Sequence, residues 1–387
     1  MLVETTATGL FKQGLGRVPL RSSSMLLLST VHKRYASDVT VRTRNSQPIV
    51  RQGLSGRSSV SGHVATVFGA TGFLGRYVVN RLGKRGTKVV LPYRCHEDNK
   101  RHLKPMGDLG QMVFMDYDVR NYDQILEAVE HSDIVYNLIG RNYPTKNFSF
   151  QNVNVDAARA VAKACQEVGV PRLVHLSALG AQQGSTSQFL HTKALGEVAV
   201  REEFPDATIV RPGTLVGYES DLLFRIGFFR KMLPIVNHGQ QILRPVDAVD
   251  VALALEVMMD EESTAGQIYE MYGPKPYTYQ DIVNICSNIF REKVNTINIP
   301  KPIMKAATGA LQYWIYPQLS PDEVERMFID QVPSTDAHVK TLANLGIEPR
   351  LLELTILPYI RHFRKAAFND IGLDSDKART FGKHHVY

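Results

Sequence analysis

The sequence predicts an α/β fold in which a doubly wound parallel sheet carries a smaller mixed C-terminal lobe. From Val64 to Arg211, short apolar segments of strand character alternate with segments of helical periodicity. This alternation is typical of a parallel sheet whose two faces are both covered by helices. A glycine-rich stretch, VFGATGFLG, separates the first strand from the first helix, as it does in sheets that bind dinucleotides. The predicted fold is therefore Rossmann-like.

The elements are predicted in order along the chain. The strands are Val64–Phe68, Lys88–Pro92, Gln111–Met115, Asp133–Ile139, Arg172–Ser177, Ala207–Arg211 and Gln267–Tyr272. The helices are Phe73–Lys84, Asp123–Glu130, Asn154–Val168, Gln188–Glu203, Val249–Met259 and Tyr279–Phe290. An apolar stripe at helical spacing supports the third helix, and Thr278 is the residue type that begins the last one.

The alternation of strands and helices weakens after about Gly217, where prolines begin to interrupt short helical segments. We therefore predict three parts. Residues 1–60 form a targeting arm, residues 61–217 a dinucleotide-binding domain, and residues 218–387 a C-terminal lobe and tail. Some segments of the last part are expected to complete the Rossmann-like domain.

The first sixty residues are basic and contain almost no acid. They hold nine lysines and arginines against two acids, Glu4 and Asp38, together with many serines and threonines. This composition is typical of a mitochondrial presequence, and the segment KRYAS (Lys33–Ser37) predicts cleavage near residues 35–36. A disordered basic arm is the alternative. No apolar run approaches the ~18 residues of a spanning helix, so the mature protein is predicted not to cross a membrane.

The formal net charge of +7 is concentrated in that arm. Without it, the totals of 45 basic and 38 acidic residues fall to 36 of each sign, so the rest of the chain is nearly neutral. A nucleic-acid-binding protein would need a basic face on its folded part, and composition predicts none. Cys95, Cys165 and Cys286 are far apart and form no metal-ligand pattern. We therefore predict no nucleic-acid partner and no metal site.

Gly69, Gly72 and Gly75 lie between the first predicted strand and the first predicted helix. One glycine allows the tight turn, one lets the backbone approach a pyrophosphate, and one lets helix and strand pack closely. The free N–H groups and the positive end of the helix dipole then favour phosphate binding. We predict a dinucleotide site here, with a turn that only packs as the alternative. The other predicted contributors in this stretch are Thr71, Phe73, Leu74 and Arg76.

Arg94 lies at the end of the second strand, nineteen residues after Gly75. NAD sites usually place a carboxylate there for the ribose 2′-hydroxyl, whereas an arginine suits the 2′-phosphate of NADP. We therefore predict NADPH as the cofactor and Arg94 as the 2′-phosphate ligand, with a solvated surface arginine as the alternative. Asp118 and Val119 follow the third strand, where adenine contacts are expected, although Asp118 could equally cap a turn.

Several motifs resemble the extended and atypical short-chain dehydrogenase/reductases, namely the glycine spacing, FMDYDVRNYDQI, VRPGTLVGYES and LRPVDAVDVALAL. The resemblance spans Val64 to about Phe290. It narrows to the nucleotide-binding accessory subunits of mitochondrial complex I at DIVYNLIGRNYPTKNFSFQNVNVDAARAVAKAC, GVPRLVHLSALGA and FLHTKALGE. The resemblance implies a tightly held NADPH and other complex I subunits as partners. It also implies a peripheral position on the matrix side of the inner membrane.

Further site residues follow from the resemblance, position by position. Ser177 matches the catalytic serine, and Lys193 matches the lysine that hydrogen-bonds the nicotinamide ribose. Two short segments match the wall after the fourth strand and the loop that packs on nicotinamide: Leu138, Ile139 and Gly140, and Pro212, Gly213 and Thr214.

Phe189 departs from the family pattern. Active members carry a tyrosine four residues before the lysine, and its hydroxyl transfers a proton to or from the substrate oxygen. Phenylalanine has no ionisable group, and general acid–base catalysis contributes ~10²–10⁴-fold in rate. His191 and Thr192 project from the helix at other angles, and His175 lies on a buried strand. The sequence therefore predicts a degenerate catalytic site that still binds its cofactor.

The predicted function is a non-catalytic, NADPH-binding accessory subunit of complex I that supports assembly or stability of the matrix arm near the membrane junction. One alternative is a free mitochondrial NADP-dependent reductase or epimerase, favoured by Ser177 and Lys193. The other is an NmrA-like redox sensor. In the C-terminal lobe we predict that Phe224–Gly239 is core. For Lys301–Leu319, covering the cleft and contacting a partner or lipid headgroups are left equally open.

Overall fold

The structure is a computed structural model that describes residues 39–44, 47–53, 56–311 and 320–364. Two expectations lie wholly or partly outside these residues. They concern the cleavage site near 35–36 and, within Lys301–Leu319, residues 312–319.

The strands are β1 (Val39–Arg44), β2 (Gln47–Gln52), β3 (Val64–Phe68), β4 (Lys88–Tyr93), β5 (Met112–Asp116), β6 (Ile134–Asn137), β7 (Arg172–Leu176), β8 (Thr208–Pro212), β9 (Leu215–Val216), β10 (Leu233–Ile235), β11 (Ile242–Leu243), β12 (Val246–Asp247), β13 (Ile268–Met271), β14 (Tyr277–Thr278), β15 (Thr296–Asn298) and β16 (Val339–Thr341). The α-helices are α1 (Phe73–Lys84), α2 (Tyr122–Val129), α3 (Ala157–Val168), α4 (Gln188–Glu203), α5 (Asp221–Phe228), α6 (Ala248–Asp260), α7 (Tyr279–Phe290), α8 (Lys301–Leu311), α9 (Pro321–Arg326) and α10 (Leu352–Ile360). A π-helical turn, Asn152–Asp156, precedes α3, and the short 3₁₀ segments are Glu97–Met106, Asn237–Gly239, Glu262–Thr264, Leu342–Leu345 and Arg361–Phe363.

Eight parallel strands form the main sheet, in the order β5-β4-β3-β6-β7-β8-β13-β16. The predicted parallel α/β fold is confirmed. The strand order reverses between β3 and β6, because the chain first builds outward to β5 and then returns to the other side of β3. Ligands of such sheets bind in the crevice at this reversal, beyond the carboxyl ends of the strands.

Helices cover both faces of the sheet. On one face, α1 and α6 bury apolar residues such as Val78 and Leu255 in a shared core. On the other face, α2, α3 and α4 contribute a second core that includes Ile125, Val161 and Val200. The predicted bounds of α1, α4 and α7 are confirmed at both ends. At α7, Thr278 and Asp281 form a capping box, which explains why the helix begins where it does.

The chain after Gly217 contributes to two places in the molecule. Its strands β13 and β16 extend the main sheet, and Leu342 and Ile347 lie in the same core as α1. The helix α6 covers one face of that sheet, and most of the rest forms a lobe with its own core, drawn mainly from α5, α7 and α10. The strand β16 was not predicted, because three residues carry too little periodicity to identify a strand.

The prediction that Phe224–Gly239 is core is wrong for part of the segment. Leu233 and Ile235 are buried, but Phe224, Phe228 and Met232 are 44%, 62% and 64% exposed. The reason is the helical spacing of α5. Phe224 and Phe228 stand four positions apart on its outer face, where their rings stack at 5.7 Å. The result is an exposed apolar patch on the C-terminal lobe.

Within residues 39–44, 47–53, 56–311 and 320–364, no helix is both long enough and apolar enough to cross a membrane. The same residues contain no group of three or more His, Cys, Asp or Glu side chains placed to hold a metal ion.

Candidate dinucleotide site

The glycine loop between β3 and α1 is a tight turn with little room for side chains. Gly69 adopts a left-handed backbone with φ of +78°. A Cβ there would lie 2.9 Å from the carbonyl oxygen of Leu138, the residue directly after β6. The Gly72 N–H donates to the Gly69 carbonyl oxygen at 3.0 Å. A Cβ on Gly75 would lie 2.7 Å from the Ala70 Cα, so the helix start and the loop are in backbone contact. Gly69 and Gly75 are therefore required for this geometry.

The first turn of α1 is left available for an anion. Its N-cap residue is Gly72, which offers no side-chain hydrogen bond, and its first turn contains no acidic residue. By contrast, side chains cap α2, α4, α6 and α7. Uncapped N–H groups at a helix start carry partial positive charge and bind phosphate. The structure places Thr71, Phe73 and Leu74 around this turn, with Leu74 buried against the sheet.

Arg76 lies one turn into α1 but is engaged elsewhere. Its guanidinium donates to the Glu219 carboxylate at 2.8 Å, and both side chains are about one-third exposed. The Tyr218 N–H donates to the Tyr77 hydroxyl at 3.0 Å beside it. Arg76 therefore ties α1 to the segment before α5, and the structure does not bring it to the phosphate turn as a free cation.

Arg94 directly follows β4, and its guanidinium lies near the same aromatic ring as that of a second arginine. The Arg94 guanidinium carbon lies 4.8 Å from the centroid of the Phe148 ring, and that of Arg120 lies 4.3 Å from the same centroid. Arg120 also donates to the Asn147 carbonyl oxygen at 2.7 Å, which fixes its position. Two cations and an aromatic face thus meet beyond the ends of β4 and β5.

Neither Arg120 nor Phe148 was identified from the sequence. Arg120 has a weak local signal, because it lies two residues after Asp118 in the segment expected to contact adenine. Phe148 lies in an irregular loop with no periodic pattern, so only the three-dimensional structure brings it to Arg94.

Asp118 caps a turn, as the alternative interpretation of that residue expected. Its carboxylate accepts a hydrogen bond from the Arg120 N–H at 3.0 Å, and its own N–H donates to Gln124 at 2.8 Å. Val119 packs against the second core. Both residues lie near Arg94 at the sheet edge, and their backbone sets the position of Arg120.

The ends of β6 and β7 form the floor of the site. Leu138 and Ile139 pack against opposite cores, and Gly140 follows them at the surface. A Cβ on Gly140 would lie 3.1 Å from the Lys193 Nζ, which places the lysine directly beside the wall after β6. Gly140 and Lys193, which were each predicted to bind the cofactor, are therefore brought together.

Lys193 is buried, with 4% of its surface exposed, and its ammonium donates to the Leu176 carbonyl oxygen at 2.9 Å. Burial lowers the pKa of Lys193 to about 8, while the Glu197 carboxylate opposes this shift. Ser177 directly follows Leu176 in the chain. It is 4% exposed, and its Oγ has no hydrogen-bond partner among the described residues. A buried hydroxyl without a partner is unusual in a protein of this kind and is consistent with a site for a polar ligand.

His175 is held neutral inside the sheet. It is 1% exposed and lies 3.3 Å from the Asn137 amide nitrogen through its Nδ1. Burial lowers the pKa of His175 to about 3, and the nearby Lys193 ammonium adds to the shift. His175 is therefore a packed residue, as expected from its position on a buried strand.

Acidification is expected to destabilise the protein through His175. Its pKa is depressed on folding, so the unfolded chain binds a proton below about pH 6.5 while the folded chain does not. Between pH 7 and pH 5 the free energy of unfolding should fall by about 2 kcal/mol from this residue. Denaturant titrations at the two pH values, with His175→Gln as the comparison, measure how much of the loss in the free energy of unfolding comes from His175. An equal loss in both proteins would contradict it.

Phe189, where the family resemblance leads us to expect a tyrosine, lies on α4 and is 9% exposed. Its ring packs edge-on against Phe150, with centroids 6.2 Å apart, and the Arg326 guanidinium carbon lies 4.5 Å from its centroid. The neighbouring polar residues are engaged: Thr192 donates to the Gln188 carbonyl oxygen at 2.8 Å, and the His191 ring contacts the Gln183 carbonyl oxygen. Neither places a proton donor beside Lys193.

The loop after β8 carries Pro212, Gly213 and Thr214. The Gly213 N–H donates to the Met271 carbonyl oxygen at 2.8 Å, which holds the loop between β8 and β13. The Thr214 N–H and hydroxyl both donate to the Gln331 side-chain oxygen, at 3.2 and 3.0 Å. Gln331 belongs to the C-terminal lobe and was not identified from the sequence.

These residues fit an extended dinucleotide. A glycine cradle and an uncapped helix start lie at the strand reversal, paired arginines lie on one side, and Lys193 with Ser177 lies on the other. The fold and site define a Rossmann-like NAD(P)-binding protein. A family described as NAD(P)H-binding matches residues 69–221.

Comparison with known proteins narrows this class. The mitochondrial NADH-ubiquinone oxidoreductase 40 kDa subunit of Neurospora crassa is 43% identical over 95% of this chain and 98% of its own length. The mitochondrial NADH dehydrogenase [ubiquinone] 1 alpha subcomplex subunit 9 of Rattus norvegicus is 40% identical over 82% of this chain and 84% of its own length. The chain belongs to this family of mitochondrial NADH:ubiquinone oxidoreductase (complex I) subunits.

A solved structure supports the fold independently. Triphenylmethane reductase of Citrobacter sp., in complex with NADP(H), matches with a TM-score of 0.59 over 76% of this chain and 99% of its own length. The sequence identity is 18%, so this match supports the fold alone.

Proposed function

We propose that the protein is a non-catalytic, NADPH-binding accessory subunit of mitochondrial complex I, held at the matrix side of the inner membrane near the junction of the two arms. The observation that carries the proposal is that one site combines intact cofactor-binding features with a position that lacks a proton donor. The glycine cradle and Lys193 are intact, whereas the proton donor's position is occupied by the buried ring of Phe189.

Different residues would hold different chemical groups of the cofactor. Backbone N–H groups at the start of α1 suit the pyrophosphate, and the Arg94 and Arg120 guanidiniums suit a 2′-phosphate. Lys193 and Ser177 suit hydroxyls of the nicotinamide ribose, and the Thr214 loop suits the nicotinamide. A nicotinamide cofactor supplies hydride chemistry when bound, but Phe189 has no group that can move the accompanying proton.

A structural role for the nucleotide follows from linkage. A ligand that binds only the folded state stabilises it by about 4 kcal/mol at 1,000 times its dissociation constant. The cradle joins β3, β6 and α1, so a bound nucleotide would stabilise the centre of the sheet rather than its edge. This supports a role in assembly or stability of the complex.

Release and identification of the bound nucleotide tests the cofactor assignment. The mature protein, purified alone or within its parent complex, is denatured and the released nucleotide is separated by chromatography. We expect NADP(H) near one equivalent per chain. Finding no nucleotide, or NAD(H) alone, would overturn the assignment.

The partner assignment is tested separately on native gels of solubilised mitochondrial membranes. We expect the protein to co-migrate with complex I, as the family relationship supports. Migration as a free chain in membranes that contain intact complex I would contradict it.

Contact with lipid headgroups is proposed for the exposed patch of the C-terminal lobe. Phe224, Phe228 and Met232 are exposed there, and Lys231 adds a cation between them. Aromatic and basic residues together suit the boundary of an anionic membrane. Flotation with vesicles containing cardiolipin should recover the protein, and Phe224→Ala with Phe228→Ala should reduce recovery. Unchanged recovery in that variant would contradict lipid contact through this patch.

A catalytic reductase remains the second candidate, because Ser177 and Lys193 are both retained. Substrate-dependent NADPH oxidation that disappears in Lys193→Ala, with nucleotide still bound, would establish it in place of the non-catalytic role.

A further inference from the structure

One segment of the C-terminal lobe crosses the mouth of the site. This strap comprises Ser320–Gln331 and contains the short helix α9. It begins at the N-terminus of α4 and ends at the Thr214 loop, and along the way it covers Phe189. We infer that the strap occupies the substrate side of the site, so that the chain itself takes the place a substrate would need.

The first anchor of the strap is Asp322. Its carboxylate accepts hydrogen bonds from the Ser187 hydroxyl at 2.9 Å, the Gln188 N–H at 2.6 Å and the Phe189 N–H at 3.3 Å. These are groups of the first turn of α4, which have no acceptor within the helix. A carboxylate also interacts favourably with the positive end of the helix dipole. The strap thus caps the helix that carries Phe189 and Lys193.

The middle of the strap covers the face where a proton donor would act. The Arg326 guanidinium lies over the Phe189 ring, and Ile329 packs against the cluster formed by Phe150, Phe189 and Leu190. Arg326 also donates to the Asn142 carbonyl oxygen at 2.9 Å, in the loop that follows Gly140. Phe189 is consequently 9% exposed, although its helix lies at the rim of the site.

The last anchor is Gln331, whose side-chain oxygen accepts hydrogen bonds from the Thr214 N–H and hydroxyl. The strap is also held along its length by Gln241, which donates to the Arg326 and Ile329 carbonyl oxygens at 2.8 and 2.9 Å. Hydrogen bonds therefore fix it at both ends and in the middle. A loosely lying loop would not be fixed in this way.

The inference deepens the proposed non-catalytic role, on which it rests for assigning Phe189 to the proton donor's position. Two features would then prevent catalysis. The proton donor is missing, and Arg326 and Ile329 fill the space for a substrate beside Phe189. Restoring a tyrosine alone would therefore not reopen the site.

Hydrogen exchange resolved to single amides tests the strap in the unmodified full-length chain. The Gln188 and Phe189 amides should exchange at least about 10-fold more slowly than the Phe73 and Leu74 amides of the uncapped α1, measured without nucleotide. Asp322→Ala should remove this protection. Lys305→Ala is the matched control, because it breaks the 2.8 Å pair with Glu325 on the same strap without touching α4.

A second readout uses solvent access to the covered position. The thiol introduced by Phe189→Cys should react with a water-soluble maleimide at least about 10-fold more slowly than the partly exposed Cys95, and Gln331→Ala should speed its reaction. Fast exchange at Gln188 and Phe189 in the unmodified chain, or thiol reaction at the Cys95 rate, would overturn the strap. Neither readout needs nucleotide, so absence of bound NADP(H) would remove the cofactor proposal and leave this one standing.

Discussion

Gly75→Ala is expected to weaken nucleotide binding by about 100-fold while leaving much of the sheet folded. A Cβ at this position meets the Gly69 carbonyl oxygen and would lie 2.7 Å from both the Cα and the carbonyl oxygen of Ala70, all backbone atoms of the cradle. The loop must therefore move away from α1. Overpacking of this kind costs up to ~3 kcal/mol, which corresponds to about a 100-fold loss of affinity. Nucleotide content after purification and calorimetric titration of the stripped protein measure the loss.

The control for this prediction is Gly184→Ala. Nothing lies within 4 Å of a Cβ added at Gly184, and its backbone does not require glycine. This variant should bind nucleotide like the parent chain. If both variants bound equally well, the glycine loop would be a packing turn only.

Under the proposed NADP(H) assignment, Arg94→Glu should leave a protein that binds NADP(H) no better than NAD(H). A guanidinium–phosphate hydrogen bond is worth about 1.5–3 kcal/mol, and a carboxylate at the same place adds repulsion. We expect NADP(H) affinity to fall by about 100-fold and NAD(H) affinity to change by less than about 3-fold. Arg120→Ala should produce a smaller loss with the same selectivity, because Arg120 lies over the same Phe148 ring.

Arg101→Glu is the matched control, since Arg101 is an exposed arginine in the same connection between β4 and β5. It should leave both affinities unchanged. Equal losses of NADP(H) and NAD(H) in Arg94→Glu would show that Arg94 does not recognise the 2′-phosphate.

Local signals account for what could be predicted from the sequence. The glycine loop, the apolar strands and the capping residue Thr278 are short-range features, and each acts on the few residues around it. The expectation that Phe189 stands in place of a tyrosine is equally local, because it is defined by the spacing from Lys193. These features were enough to predict the sheet, the bounds of α1, α4 and α7, and the position of the candidate site.

The contacts that define the site's walls are long-range and left no pattern in the sequence. Asp322 and Ser187 are 135 residues apart, and Gln331 and Thr214 are 117 residues apart. Arg94 and Phe148 meet only because β4 and the loop after β6 end at the same edge of the sheet. Arg76, conversely, has the right local position for a phosphate, but Glu219 engages it from a distant segment. Chain topology, rather than residue type, decided these outcomes.

The position of β16 at the sheet's edge has a consequence for the order in which the chain can fold. The strand Val339–Thr341 pairs with β13, and the adjoining Leu342 shares a core with Leu74 near the start of the domain. A chain growing from its N-terminus therefore leaves β13 as an open edge, and one core unfinished, until residues 339–347 have been made. Such non-local closure slows folding and leaves partial chains prone to edge-to-edge association. Truncation that removes residues 339–347 is consequently a threat to the whole sheet, including the nucleotide cradle at its centre.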